Sequence, residues 1–173
     1  DGAVRINFTL IFSRHQGRLA SVYGGTYASP FVGRIDDRLK GSGISREGMD
    51  LVSDILDEYS GQGSGTLVLT ASTRKERGLY HLEKARDYGS HVVTIPFDFF
   101  RHIYDIMGHE GVEFIQNLRK SPPRGYKKTY KPSYHEEFDW NKMRDFEVGL
   151  TKEGVRRFLA DAASADYSIL SAG

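Results

Sequence analysis

The sequence predicts an α/β fold with a parallel sheet built from βα units, and three observations predict it. Strand-like and helix-like stretches alternate four times between Arg5 and Met107. The turn after the first strand reads Ser13-Arg-His-Gln16, not the Gly-x-Gly-x-x-Gly of a dinucleotide-binding doubly wound sheet. Hydroxyl and guanidinium side chains gather at or just past strand ends, at Thr9, Ser29, Arg34, Ser72 and Arg74, which is where a (β/α)8 barrel keeps its chemistry. Right-handed crossovers leave an open sheet and a barrel as the two candidates, and four strands are half a barrel.

Each element has its own signal. Arg5 to Phe12 is β-branched and aromatic enough for a buried strand. Ser13 and Gln16 have capping-box spacing, so a short helix runs from Arg14 to Tyr23 and ends at Gly24-Gly25. A strand over 26–32 follows. Pro30 cannot donate to a ladder and Gly33 frees the backbone before Arg34, so the strand is expected to run into a working loop reaching Arg38. Ser29 can hydrogen-bond a hydroxyl or carbonyl there, and the planar fork of Arg34 matches phosphate or carboxylate. The plain alternative is an ordinary strand-to-helix turn with Arg34 solvated. Asp36-Asp37 could bind a cation, but is expected instead to pair with Arg34 or Arg38, or to cap the next helix.

After the Gly41-Ser-Gly43 link, the spacing of Met49, Leu51, Val52, Ile55, Leu56 and Tyr59 predicts a helix over Gly48 to Tyr59. Gly61 to Gly65 is a turn, and Thr66 to Thr70 is a strand leading to Ala71-Ser-Thr-Arg74. Thr73 and Glu76 have capping-box spacing, so a helix to Tyr88 should start near Ser72 and Arg74, its N-terminus on the same side as Arg34. Gly89 closes it, His91 to Ile95 is a fourth strand, and Pro96 opens a helix carrying Phe99, Phe100, Ile103, Tyr104 and Met107. Residues 119–139, rich in Pro, Tyr and basic side chains, read as a loop excursion. Within 140–173 a last helix is expected near Thr151, with Val155, Phe158 and Leu159 on one face and Arg156 and Arg157 on another.

Composition narrows the function classes. The 173 residues are 39% hydrophobic and 27% charged with net charge +1, as expected of a soluble domain, and no global field calls for nucleic acid, membrane or an acidic substrate. There are no cysteines, which excludes disulfides, thiol catalysis and thiolate metal sites and is compatible with a reducing cytoplasm. No apolar run reaches the ~18 to 20 residues of a membrane span. The chain starts at Asp1 and runs into a strand within nine residues, so an upstream segment, cleaved or separately encoded, is expected.

The strand ends together resemble the transaldolase family of class I, Schiff-base aldolases. The matching stretches are Asn7-Phe-Thr-Leu-Ile-Phe-Ser13, Ser29-Pro-Phe-Val-Gly-Arg-Ile35, Ala71-Ser-Thr-Arg74 and Val93-Thr-Ile-Pro-Phe97, in the family's order and at compatible spacing. The resemblance covers roughly residues 1–118 and resumes more weakly at Phe138-Asp-Trp140 and over Gly154 to Asp161. It implies a (β/α)8 barrel of which this chain supplies about the last four βα units, with 119–139 an excursion and 140–173 a C-terminal helical segment. Phe31, where related fructose-6-phosphate aldolases typically carry tyrosine, tilts the resemblance toward transaldolase proper.

Carried over by residue, Thr9 resembles the catalytic threonine that helps position water. Ser29 resembles the residue contacting the substrate or its Schiff-base adduct, with Asn7 and Phe31 beside it in the substrate site. Arg34, Ser72 and Arg74 resemble the sugar-phosphate anchor. The implied reaction moves a dihydroxyacetone unit from a ketose phosphate such as sedoheptulose 7-phosphate to glyceraldehyde 3-phosphate, needs no cofactor, and belongs to cytoplasmic pentose phosphate metabolism.

The family's Schiff-base lysine and its acidic partners belong to strands ahead of the stretch matching Arg5 to Ser13. They are expected on a companion N-terminal half-barrel chain or a missing N-terminal segment. Lys75, beside Arg74, comes nearest to a substitute but lacks the desolvated setting such a lysine needs. The rival readings are a non-catalytic sugar-phosphate-binding or regulatory module, and a nucleic-acid-binding protein. The second would use the loop in which Arg119, Lys120, Arg124, Lys127, Lys128 and Lys131 interleave with Tyr126, Tyr130 and Tyr134. Glu136, Glu137 and Asp139 follow directly and argue for a solvated loop. The six histidines show no metal-ligand spacing, and no metal is assigned.

Overall fold

The computed structural model describes residues 4–71, 73–118 and 139–164. Its strands are β1 (Asn7–Ile11), β2 (Tyr27–Pro30), β3 (Leu67–Thr70) and β4 (Val92–Val93). The helices are α1 (Arg14–Val22), α2 (Val32–Leu39), α3 (Gly48–Gln62), α4 (Gly78–Tyr88), α5 (Phe97–Leu118, interrupted at Gly108) and α6 (Asp145–Ser164). Short 3-10 turns precede α4 (Lys75–Arg77) and α6 (Trp140–Lys142). All strand pairs are parallel and the sheet order β1-β2-β3-β4 follows the chain. A doubly wound sheet reverses order at a switch point. This one does not, and its singly wound order is consistent with the (β/α)8 type of fold.

The predicted start of α1 is present: Ser13 Oγ accepts from Gln16 N while Gln16 Oε1 accepts from Ser13 N, at 3.1 Å each. α3 runs past the expected Tyr59 to Gln62. The main core lies between the sheet and its helices, with Phe12, Ala28, Val32, Met49, Val52, Ile55 and Val68 all at or below 1% exposure. Tyr59 crosses from α3 to α1, its hydroxyl donating to Gly17 O at 2.6 Å. The close approach of α2 and α3 requires Gly48, since a Cβ there would fall 2.2 Å from Val32 O. A separate small core under β4 and α5 joins Leu82, Phe99 and Ile103, with Val93, Ile95, Phe114 and Ile115 packed around it.

Three elements depart from expectation. The loop predicted after β2 is helix α2, because Val32, Ile35 and Leu39 recur at helical spacing and are all buried. α6 starts at Asp145 rather than near Thr151, and Arg144 N is capped by Glu147 Oε2 at 2.8 Å. Its Leu150, Thr151 and Gly154 are buried, whereas Val155, Phe158 and Leu159 are exposed. The fourth strand shrinks to two residues. Of the excursion expected over 119–139, residues 119–138 lie outside the described residues. No described helix is long and apolar enough to cross a membrane.

Candidate active site

The burial rhythm at the start of β1 puts Asn7 and Thr9, both exposed, on the face away from the helix-covered core, and Phe8 toward it. Ser29 of β2 is on the Asn7 face but only 1% exposed, and its Oγ donates to Asn7 Oδ1 at 2.7 Å. With that proton committed, the serine offers its lone pairs to any further partner. Between Phe8 and Ile11 the chain advances three residues while β2 advances two, from Ala28 to Pro30. The extra residue makes a bulge at Thr9-Leu10, with Leu10 at φ 55°, a left-handed conformation that costs a non-glycine residue about 1–2 kcal/mol. Buried Leu10 lies against Gly154 of α6.

Past β2 the first amides of α2 are satisfied by neighbouring strand ends rather than by a capping side chain. Phe31 N donates to Ile11 O at 3.0 Å and Val32 N to Ala71 O at 3.1 Å. Phe31, half-buried, meets Phe12 edge-on with centroids 5.9 Å apart. Arg34 therefore stands in the first turn of a helix. Its guanidinium is 5.4 Å from the centroid of Phe12, its Nη2 is 3.5 Å from Glu153 Oε1, and its side chain is 15% exposed. Burial holds Arg34 below the usual guanidinium range; Glu153 works against this, and the charges of Arg157 and Arg74 add to it.

Arg74 closes the segment after β3 and pairs with Asp37 Oδ2 at 2.7 Å, while its Nε is buried without a hydrogen-bond partner among the described residues. Thr73 does not cap the following helix as its spacing predicted: its Oγ1 donates to Thr94 O at 2.9 Å, and the chain makes the 3-10 turn before α4. Ser72 lies outside the described residues. A cleft of about 610 Å³ opens beside Arg74, with Lys40, Arg46 and Arg77 facing Asp36, Asp37 and Glu76.

Asp36 caps the next helix, one of the expected roles, while neither Asp36 nor Asp37 forms an ion pair with Arg34 or Arg38. Asp37 takes Arg74, and Asp36 caps α3 by accepting from Gly48 N at 2.7 Å. Asp36 also meets His81 Nε2 at 2.7 Å and Arg77 Nη1 at 3.2 Å. Burial alone would raise its carboxyl, but the His81 hydrogen bond, the Gly48 amide and the charge of Arg77 outweigh it and hold Asp36 below the usual carboxylate range. Arg77 and Tyr80 in turn both hold Glu47, the residue that opens α3.

The structure thus joins Asn7 to Ser29 and sets Arg34 and Arg74 within electrostatic reach of each other. Sequence reasoning missed Phe12, Glu153 and Arg157 at this site, and gave Asp37 other arginine partners than the Arg74 it takes. The i,i+4 spacing of Glu153 and Arg157 was a readable signal of their pairing, but nothing local signals their reach to Arg34. Among the described lysines none stands in a strand: Lys40 ends α2, Lys75 opens the 3-10 turn beyond β3, Lys84 is on α4, Lys142 in a 3-10 turn and Lys152 on α6.

The profile of the family described as Transaldolase/Fructose-6-phosphate aldolase matches residues 2–169. A probable transaldolase of Dictyoglomus turgidum is 38% identical over 126 residues, 70% of this chain and 54% of that protein. A probable transaldolase of Anaeromyxobacter sp. (strain Fw109-5) is 47% identical over 94 residues, 54% of this chain and 40% of that protein. One from Shouchella clausii is 39% identical over 100 residues, 58% of this chain and 42% of that protein. The chain spans about half the length of the curated relatives it matches.

Proposed function

Because the chain belongs to the transaldolase/fructose-6-phosphate aldolase family, we propose that it contributes the substrate and phosphate side of a transaldolase-type site. The reaction passes a dihydroxyacetone unit between sugar phosphates, from sedoheptulose 7-phosphate to glyceraldehyde 3-phosphate, through a Schiff base on a lysine outside this chain. In this reading the chain forms about the last four units of a (β/α)8 barrel. Arg34, Ser72 and Arg74 hold the phosphate, Asn7, Ser29 and Phe31 hold the sugar, and the exposed hydroxyl of Thr9 helps position water.

The observation that carries the reading is the pair of guanidinium groups, Arg34 and Arg74, just past the ends of adjacent parallel strands. Their partners, Glu153 and Asp37, are partly exposed carboxylates that an incoming phosphate can displace. Charge-assisted and bidentate hydrogen bonds make arginine well suited to that ligand. The hydrogen-bonded pair Asn7 and Ser29 supplies polar recognition on the exposed face of the same sheet.

A lysine partner is part of the proposal because a Schiff base needs an amine that is neutral near pH 7, hence a desolvated one. The simplest source is the N-terminal half of the same barrel, as a companion chain or a preceding segment. Such a half would pair with the free edges at β1 and β4, where Ile6 is 48% and Val92 37% exposed. The test is borohydride trapping of a ketose phosphate on the native assembly. A covalent adduct is expected. Phosphate-dependent binding with no reducible adduct would reject the enzyme and leave a sugar-phosphate-binding module.

A further inference from the structure

α6 crosses the mouth of the site at close quarters. A Cβ on Gly154 would lie 2.9 Å from Leu10 Cδ2 and 3.2 Å from Arg34 Nη1, so the helix backbone at Gly154 approaches the guanidinium closely, and a larger residue there would make the Leu10 and Arg34 side chains shift. Leu150, Gly154 and Arg157 follow one another at helical spacing, so Arg157, itself exposed, lies on the same side of α6 as the buried Leu150 and Gly154. One turn back from Arg157 is Glu153, and a single oxygen serves two cations: Glu153 Oε1 is 2.6 Å from Arg157 Nη2 and 3.5 Å from Arg34 Nη2.

We propose that Arg157 is a third cation of the phosphate site, delivered by the C-terminal helix, and that the Glu153 carboxylate is a built-in placeholder that the incoming phosphate displaces. The inference rests on the reading of Arg34 and Arg74 as the phosphate anchor. One carboxylate oxygen shared by guanidinium groups from two helices is an arrangement a phosphate oxygen can take over, with two further oxygens left for other donors. Glu153 is free to yield, because its side chain is 35% exposed and can turn into water. Arg157, 65% exposed, can follow the ligand. Arg34 is much less exposed, keeps its seat on Phe12, and supplies the fixed point. The placeholder keeps three neighbouring cations from repelling one another while the site is empty, and makes the site selective for a doubly charged group over a single carboxylate.

The experiment is titration of the native protein with inorganic phosphate, followed by calorimetry, for Arg34→Ala, Arg74→Ala, Arg157→Ala, Glu153→Gln and Arg156→Ala. Arg157→Ala is expected to weaken phosphate roughly threefold to tenfold, as for loss of one partly exposed charge-assisted contact. Glu153→Gln should tighten it by several-fold. Arg156→Ala removes the same charge one residue away and should leave affinity unchanged. Loss of affinity in Arg34→Ala and Arg74→Ala with none in Arg157→Ala would overturn the inference and spare the anchor reading. An equal loss in Arg156→Ala would reduce the effect to net charge and overturn it too, as would a Glu153→Gln protein that binds no tighter. No change in any of the five variants would overturn both the inference and the anchor reading.

Discussion

Replacing Asp36 by Ala removes the carboxylate on which three helices converge. Asp36 is 7% exposed; its loss deprives Gly48 N of its cap at 2.7 Å and leaves fully buried His81 without its 2.7 Å partner. His81 Nδ1 already has no hydrogen-bond partner among the described residues, so the ring would be buried with neither nitrogen satisfied. A buried group stripped of its partner costs about 1–3 kcal/mol, and two groups, Gly48 N and the His81 ring, lose theirs here. We expect a loss of about 3–5 kcal/mol, a large part of the ~5–15 kcal/mol that holds a domain folded. Arg77 adds little to that figure, being 41% exposed and keeping Glu47.

The assay is urea denaturation of the purified protein at neutral pH and again across the acid range. The folded carboxyl of Asp36 is held below its unfolded value. Its contribution is therefore intact above the ordinary aspartate value of ~3.9 and is lost as pH falls through the lower folded value. The gap between wild type and Asp36→Ala should be widest at neutral pH and close only below pH ~4. A loss of under ~1 kcal/mol at neutral pH, or a gap that stays constant down through that acid range, would refute the reasoning.

Arg34→Ala and Arg74→Ala should each weaken phosphorylated substrates roughly tenfold or more and unphosphorylated dihydroxyacetone much less; equal losses in steady-state kinetics would sink the phosphate assignment. Tyr59→Phe, which strips Gly17 O of its 2.6 Å donor, should lower the urea-derived stability by about 1–3 kcal/mol. Burial, with the charge of Glu58, raises the Tyr59 hydroxyl. Stability is thus fully present below the ordinary tyrosine value of ~10 and falls as pH climbs toward the folded one, which ultraviolet titration should register as a tyrosine that ionises only on unfolding. Gly48→Ala sets a methyl 2.2 Å from Val32 O, a backbone atom that cannot turn aside; a thermal midpoint at least several degrees lower is expected, and an unchanged one would refute the close approach.

Most of the βα order was legible because hydrophobic spacing and turn residues act locally. Ser13 and Gln16 cap α1 as their spacing predicts, and Gly89 ends α4 in the left-handed conformation at φ 82°. α2 was not legible because its entry, Phe31, makes no capping hydrogen bond with its side chain and Gly33 imitates a breaker. Its buried triplet Val32, Ile35 and Leu39 was the signal to weigh more heavily. Thr73 misled because a distant carbonyl, Thr94 O, outcompetes the local cap. At the candidate site, Ser29, Arg34 and Arg74 are picked out by their places at or just past strand ends, whereas Asn7 opens β1 and is picked out only by the family resemblance. Glu153 and Arg157 reach Arg34 across more than a hundred residues of chain, and only packing reveals them.

The division of the interior into two cores bears on how the molecule comes apart. β1, β2, β3 and the helices above them share one continuous apolar cluster, and Asp36 staples α2 to α3 and α4. The last unit rests on a small cluster around Leu82, Phe99 and Ile103 that shares Val93 with the main core, and its strand is only Val92 and Val93, flanked by bonds from His91 N and Thr94 N to β3. Segments with few ladder bonds and a separate core open as their own cooperative unit, below the free energy of global unfolding. Amide hydrogens of β4 and α5 should accordingly exchange as a group ahead of those in β2 and α3, and the bond from Thr73 Oγ1 to Thr94 O at 2.9 Å, beside Arg74, is the seam through which that opening would reach the neighbouring strand end.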